Sequence, residues 1–341
     1  MKNYLLQLAE KQSLSENQMK EAVDLILGDE VSESEIAAFM MGLKSKGETV
    51  EEIAGIVGAL KENTLTFNQK FPNVLDNCGT GGDGTSSFNI STTSAFVIAG
   101  AGIPVAKHGN RSISSKTGSA DVLEYLGVNL NLPAERLEEI LHEIGIAFLF
   151  APHVHPKLKR ITMVRKQLKI PTVFNFIGPL TNPIDLDYQL LGVNRRDLLH
   201  VFAEVLQKLG RKRAVVINGA GFMDEASLQG ENHYTLLEDG YISNHTFYPE
   251  EVNLPQYDNS RIKGGDSKEN GEILIKVLKG EEGAYRDTVL LNAGIGIFTA
   301  GKANSIIDGI EIAKEIIDSG AAYEKLTALI EKSRVGQKEA I

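Results

Sequence analysis

Gly79-Thr80-Gly81-Gly82-Asp83-Gly84-Thr85-Ser86-Ser87-Phe88-Asn89-Ile90-Ser91-Thr92 is the stretch from which the rest of the chain can be read. Its glycines at 79, 81, 82 and 84 let the backbone turn sharply and approach a ligand with no Cβ in the way. Consecutive N–H groups in such a loop form an anion-binding concavity, and a following helix adds the partial positive charge of its N-terminus. Ser87, Ser91 and Thr92 bring hydroxyls for a phosphate cradle, with the Asn89 amide beside them. Taken alone, a Gly-rich stretch reads equally well as a tight strand-to-helix connection. No lysine follows the glycines as a G-x-x-x-x-G-K-[ST] loop requires, and Gly79, Gly81 and Gly84 meet the G-x-G-x-x-G spacing without the rest of the dinucleotide pattern. A dinucleotide site also wants an acidic residue roughly 20 positions on, where this chain has Lys107-His108-Gly109-Asn110-Arg111.

Outward from the loop, residues 74–78 read as a short buried strand, and a small-residue helix is expected from about 90 to 100. Strand-like runs at 104–106, 147–150, 189–193 and 214–218 alternate with helical segments, which predicts an α/β domain with a mainly parallel sheet. Asp239-Gly240 between 234–237 and 241–243 signals a hairpin. From about Asn270 the chain returns to helix, with Ile306, Ile310, Ala313, Ile316 and Ile317 on one face. Residues 1 to about 66 read as helices only. Ser15 with Gln18, Ser32 with Glu35, and Thr49 with Glu52 each fit a capping box, and Ile53, Ile56, Val57 and Leu60 define an apolar stripe after the third.

Composition narrows the classes. The chain has 341 residues, 42% of them apolar, enough for one large domain or two unequal ones. No apolar run reaches the ~18–20 residues of a membrane span, and the N-terminus lacks the pattern of a signal peptide. One cysteine, Cys78, excludes an intramolecular disulfide framework. It is expected to pack at the end of its strand rather than act as a nucleophile. A net charge of −10 opposes nucleic acid and anionic membranes as partners. A soluble cytoplasmic protein is expected.

Lys107-His108-Gly109-Asn110-Arg111 continues as Ser112-Ile113-Ser114-Ser115-Lys116-Thr117-Gly118-Ser119. Between a strand and a helix, this places the cations Lys107 and Arg111, an amide and several hydroxyls on a second loop at the same sheet end, where ligands of open α/β sheets bind. With GTGGD and NIST before it and KHGNRS within it, the chain resembles the anthranilate phosphoribosyltransferase family. Downstream matches are His153-Val154-His155-Pro156, then Arg165, then 173–183 (VFNFIGPLTNP), and Met223-Asp224-Glu225. In order and together they are highly specific, and they cover nearly the whole chain.

The resemblance implies a nucleoside phosphorylase/phosphoribosyltransferase-like fold: a small N-terminal helical domain beside a larger α/β domain with a mainly parallel central sheet. Helical residues 1–70, rejoined by about 155–185, would face residues 71–154 and 186–341 across a cleft, in a homodimer. It implies transfer of the 5-phosphoribosyl group of phosphoribosyl pyrophosphate (PRPP) to the amine of anthranilate, with Mg²⁺. By resemblance, donor binding falls to Gly79, Gly82, Asp83, Ser87, Asn89, Ile90, Ser91, Thr92, Lys107, His108, Gly109, Asn110, Arg111, Ser112, Ile113, Ser114, Ser115 and Ser119. Gly79, Asn110 and Arg165 would hold the acceptor, with His108 near it and Pro179 lining its path, and Ser91, Asp224 and Glu225 would hold the metal. Lys107, as a mobile point charge on phosphate, His108 and Arg111 are expected to position substrate rather than transfer protons.

Two departures stand out: Ser87 where the family often has Thr, and the basic run 157–165 where it is usually small and apolar. Pyrimidine nucleoside phosphorylases are a rival, but they are longer and carry a different pattern at KHGNRS. A nucleic-acid-binding paralogue would have lost the donor loop and gained a basic surface. Transfer to another aromatic amine is the rival least excluded.

Overall fold

The computed structural model describes residues 1–28, 30–112 and 116–334. The chain opens with four helices, α1 (Lys2–Ala9), α2 (Glu16–Leu27), α3 (Glu33–Lys46) and α4 (Val50–Glu62). Ser15, Ser32 and Thr49 each accept a hydrogen bond from the backbone N–H of the third residue of their helix, whose side chain accepts one from the cap N–H, so all three capping boxes form. Ile53, Ile56, Val57 and Leu60 are buried.

The sheet then alternates with helices: β1 (Leu75–Gly79), α5 (Ile90–Gly100), β2 (Val105–Gly109), α6 (Ser119–Tyr125), α7 (Ala134–Ile144), β3 (Ile146–Phe150), α8 (Ala151–Val154), α9 (Lys159–Leu168), β4 (Tyr188–Gly192), α10 (Leu199–Lys208) and β5 (Arg213–Asn218). The hairpin β6 (Asn232–Glu238) and β7 (Tyr241–Phe247) follows, turning at Asp239 and Gly240, both with positive φ as a two-residue hairpin turn requires. Helices α11 (Ser267–Leu278), α12 (Ala284–Thr299), α13 (Ile306–Asp318) and α14 (Ala321–Arg334) complete the described chain. The strand order is β3-β2-β1-β4-β5-β6-β7, parallel through β5 and antiparallel beyond.

Burial follows the period of two expected of a strand covered on both faces. In β5, Val215 and Ile217 join a core with α5 and α12, while Ala214 and Val216 join another with α10 and the N-terminal helices. The second core also takes Ile161 and Val164 of α9 with Val173, Phe174, Ile177 and Leu180, so the middle of the chain returns to the N-terminal helices. Among the described residues no helix is long and apolar enough to cross a membrane.

Because β1 to β5 run parallel, their C-terminal residues Gly79, Gly109, Phe150, Gly192 and Asn218 gather at one edge. β1 goes to β2 on one side while β4 lies on its other side, which makes the end of β1 the topological switch point where such sheets bind ligands.

Two expectations need correction. Lys107 and His108 do not lie on the loop: β2 runs on to Gly109, and they are 3% and 5% exposed. Their polarity reads as loop, yet both find partners inside the sheet. Lys107 is therefore a fixed charge and not a mobile one.

Candidate active site

The glycine loop leaves β1 at the switch point and is held from two sides. Thr80 N–H donates to Gly192 O at 2.9 Å and Asn194 Nδ2 to Gly81 O at 3.1 Å, tying it to the end of β4. Gly81, Gly82 and Gly84 all have positive φ, the conformation that favours glycine. Gly81 N–H donates to Asp224 Oδ2 at 2.6 Å. Asp83 folds back on its own loop, accepting from Thr85 N at 3.0 Å and Thr85 Oγ1 at 2.8 Å. The loop rejoins the body through a backbone bridge between Ser87 and Lys263.

Asn89 and Ile90 then start α5 as expected, but the Asn89 side chain does not cap it. Its amide bridges elsewhere, to Thr117 O at 3.4 Å and from Asn270 Nδ2 at 2.8 Å. The helix start is instead met by Glu225, which accepts from both the backbone and the hydroxyl of Ser91. Lys107 Nζ donates to Ser91 Oγ at 3.3 Å, so the ammonium, the hydroxyl and the carboxylate form one chain. Thr92 Oγ1 is buried with no hydrogen-bond partner among the described residues.

Asp224 and Glu225, on the turn after β5, are half-buried. Asp224 is held well above the usual carboxylate range, first by desolvation and then by the charges of Glu225 and Asp83. Glu225 is pushed up to about 7 by desolvation, with Lys107 opposing the shift. Asp224, Glu225 and Asp83 lie together with Lys107 as the opposing cation, itself also facing the buried Asp76, a shortage of positive charge that a divalent ion would relieve. Among the described residues no three His, Cys, Asp or Glu side chains form a complete metal cage. Two carboxylates and the Ser91 hydroxyl leave the remaining positions to waters and phosphate oxygens, the manner in which Mg²⁺ is usually held, so the donor set fits that ion.

On the other side of β2, His108 Nδ1 lies 3.2 Å from Gly178 O, and a carbonyl can only accept, so Nδ1 carries the proton. Nε2 is left bare, with no partner among the described residues. The His155 ring meets it edge-on with centroids 5.2 Å apart. Burial lowers the His108 imidazole to about 3, helped by His155, and burial lowers His155 to about 4. Both rings are neutral near pH 7, and so weak a base as His108 suits positioning better than proton transfer. The facing wall is fixed by Gln189 Nε2 donating to Pro179 O at 2.7 Å and Thr181 Oγ1 to Gly178 O at 2.8 Å.

The remaining candidates are placed less centrally. Arg165 lies on α9, half-buried, with burial lowering its pKa and no acidic partner among the described residues. Among those residues no hydrogen bond joins it to Asn110, His108 or His155. Asn110 accepts from Arg111 N through Oδ1 at 2.7 Å, and its carbonyl from Ser119 Oγ at 3.2 Å. Arg111 is turned outward to Glu124 and Asp121 and lies over the Phe150 ring at 5.5 Å, so two carboxylates already balance its charge. Ser112 N–H and Gly118 N–H both donate to Asp121 Oδ2, which draws the ends of that loop together. Gly109 admits this approach because a Cβ there would lie 2.3 Å from Ser119 Oγ. Ile113, Ser114 and Ser115 lie outside the described residues. Sequence reasoning gives no role to His155, nor to Asp76 and Asn182, which lie directly behind the site. A polar residue inside an apolar strand run is the signal for Asp76.

Known proteins match this chain along nearly its whole length. Residues 2–64 match the helical bundle domain, and residues 71–323 the α/β domain, of a glycosyl transferase family. The chain is 56% identical over 333 residues to an anthranilate phosphoribosyltransferase of Bacillus cereus (strain B4264), covering 98% of each. Identity and coverage are the same for that of Bacillus mycoides (strain KBAB4). Among solved structures it is similar to anthranilate phosphoribosyltransferase from Thermus thermophilus, with a TM-score of 0.92, 39% identity, and 97% of this chain and 99% of that chain covered. It is also similar to the Saccharomyces cerevisiae protein in complex with PRPP and Mg, with a TM-score of 0.89, 26% identity and 97% of each chain covered. With motif order, fold and near-complete coverage in agreement, the chain belongs to the anthranilate phosphoribosyltransferase family.

Proposed function

We propose that this cleft transfers the 5-phosphoribosyl group of PRPP to the amine of anthranilate, giving N-(5-phosphoribosyl)anthranilate and pyrophosphate, a step of tryptophan biosynthesis. One observation carries the assignment of sides: the chain from Lys107 through Ser91 to Glu225 stands at the start of α5 next to Asp224, which holds the glycine loop, while the neutral His108–His155 pair lies across β2 from it.

Breaking the C1–O bond of the donor leaves positive charge on the ribose and adds negative charge to the pyrophosphate. The glycine-loop amides, Ser87, Ser91 and Thr92 bind that pyrophosphate and the ribose, and Lys107 supplies a fixed positive charge. Asn89 and Ile90 shape the start of α5, and Gly109 to Ser112 with Ser119 border the phosphates from the other loop. Asp224, Glu225 and Ser91 hold Mg²⁺, which when bound neutralises charge on the diphosphate. An aromatic amine is already neutral near pH 7, so no strong base is needed. His108 can accept the amine N–H at its bare Nε2 and so aim the nitrogen at C1. Arg165 pairs with the acceptor carboxylate through its planar fork, and Asn110 and Pro179 border the acceptor.

The cleft lies between a helical unit of residues 1–70 with 155–185 and an α/β unit of 71–154 with 186–341. A homodimer working in the cytoplasm completes the proposal. A fluorescence assay of anthranilate loss, with and without PRPP and Mg²⁺, tests it. Loss that needs both supports the reading. Donor binding by calorimetry without loss of anthranilate would assign a different amine.

A further inference from the structure

The ladder between β1 and β2 is short. β1 pairs with β4 through five residues and β2 pairs with β3 through five, but β1 and β2 share a single pair, Leu75 with Val105. Beyond it the two strands stay neighbours but the ladder has a gap, and the backbone groups along it need other partners. Buried groups of this kind need partners. Side chains supply them.

Asp76, fully buried in β1, accepts from His108 N of β2 at 3.2 Å through Oδ1. Lys107 Nζ reaches back across the gap to Asn77 O at 2.6 Å. Asn182, also fully buried, enters the gap from the acceptor wall. Its Nδ2 donates to Asp76 Oδ2 at 3.0 Å and to Ala106 O at 2.8 Å, and its Oδ1 accepts from Ile184 N at 3.0 Å. Both amide hydrogens and the oxygen are used, so the side chain has one orientation. The same wall carries Gly178 O, which fixes the His108 ring.

We infer that Asp76 and Asn182 are positioning residues of the transfer reaction, a polar wedge that sets the acceptor wall in register with the strand presenting Lys107 and His108. Neither touches substrate. Lys107 and His108, at adjacent positions on one strand, face opposite sides of the sheet, and the wedge fixes that strand against the wall. The inference rests on the proposed assignment of donor and acceptor sides.

Asp76→Asn tests it. Its oxygen can still accept from His108 N, but its amide now faces the Asn182 amide, donor against donor, and the wall must move. KM for anthranilate should rise about fivefold or more, the scale of one hydrogen bond lost, while KM for PRPP changes less than about twofold. Asn182→Ser, which shortens the wedge and leaves β1 intact, should give the same split and carries the test if Asp76→Asn fails to fold. Equal rises in both KM values, or no change in either, would overturn the inference. Wild type assayed alongside separates the two readings, because failure of wild type to consume anthranilate overturns the proposed function instead. The wedge is then judged by the His108 imidazole resonances, which Asn182→Ser shifts if Asn182 holds the wall and leaves in place if it does not.

Discussion

Gly79 and Asp224 are so close that a Cβ built on Gly79 would lie 2.2 Å from Asp224 Oδ2. Gly192, at the end of β4, makes the same demand on the other side, its Cβ falling 1.7 Å from the Asp224 carbonyl oxygen. One acidic residue is thus seated on bare backbone from two neighbouring strands, at the switch point of the sheet. Gly79 does not have positive φ, so the requirement is one of space rather than of conformation.

Gly79→Ala should therefore displace Asp224 without disturbing β1. A shift of about 1 Å in a positioned group is enough to cost roughly 100-fold in rate, and turnover is expected to fall on that scale. Circular dichroism should remain that of wild type. Near-normal turnover would mean that the Asp224 carboxylate has no fixed place in the reaction.

Arg165 is a half-buried guanidinium with no acidic partner among the described residues. Such a group is poorly placed for stability and well placed for an anion. Arg165→Ala should raise KM for anthranilate by about tenfold or more, from loss of the roughly 1.5–3 kcal/mol of hydrogen bonds to a charged group, and leave KM for PRPP nearly unchanged. The melting temperature should hold or rise. Steady-state kinetics with each substrate varied decides it, and an equal rise in both KM values removes Arg165 from the acceptor site.

The local parts of this fold are legible in the sequence because their causes are local. The capping boxes at Ser15, Ser32 and Thr49, the limits of α5 at Ile90 and Gly100, and the Asp239-Gly240 hairpin each depend on residues within a few positions of one another. Strand ends are misread where a polar residue is buried by distant partners. Lys107 is inside β2 because Asn77 O, 30 positions away, and Ser91 Oγ, 16 away, take its hydrogens. Arg111 shows the converse. Its sequence neighbours suggest a phosphate contact, and nothing near it in sequence announces the pairing with Glu124 and Asp121. The single β1–β2 pair is a relation among four segments, and no spacing in one segment encodes it.

The paired histidines predict an acid-sensitive fold. Burial lowers His108 to about 3 and His155 to about 4 in the folded protein, against about 6.5 in the unfolded chain. Above pH ~6.5 both rings are neutral in both states. Below it the unfolded chain binds protons that the folded chain refuses, so stability falls as pH drops from ~6.5 towards 4. Asp224 and Glu225 act in the opposite sense, so the comparison that isolates the rings is wild type against His155→Gln. The variant should lose less melting temperature between pH 7 and pH 5. Imidazole resonances of His108 and His155 should stay flat over that range, and titration of either near pH 6 in the folded protein would refute the account.

The acidic pair makes the opposite prediction for stability and function. Asp224 is held well above its usual range and Glu225 is pushed up to about 7, because desolvation and mutual repulsion penalise their charged forms. At pH 8 the folded protein bears that penalty, and the unfolded chain does not. Asp224→Asn with Glu225→Gln keeps an acceptor oxygen for Gly81 N–H and for Ser91 while removing both charges. The double variant should therefore melt higher than wild type at pH 8, yet lose turnover by roughly 100-fold and lose its dependence on Mg²⁺. Stability gained where activity is lost is the usual signature of a strained functional site. Melting curves and a Mg²⁺ titration of activity check both halves. A lower melting point would refute the electrostatic account, and unchanged activity across the titration would take both carboxylates out of the metal site.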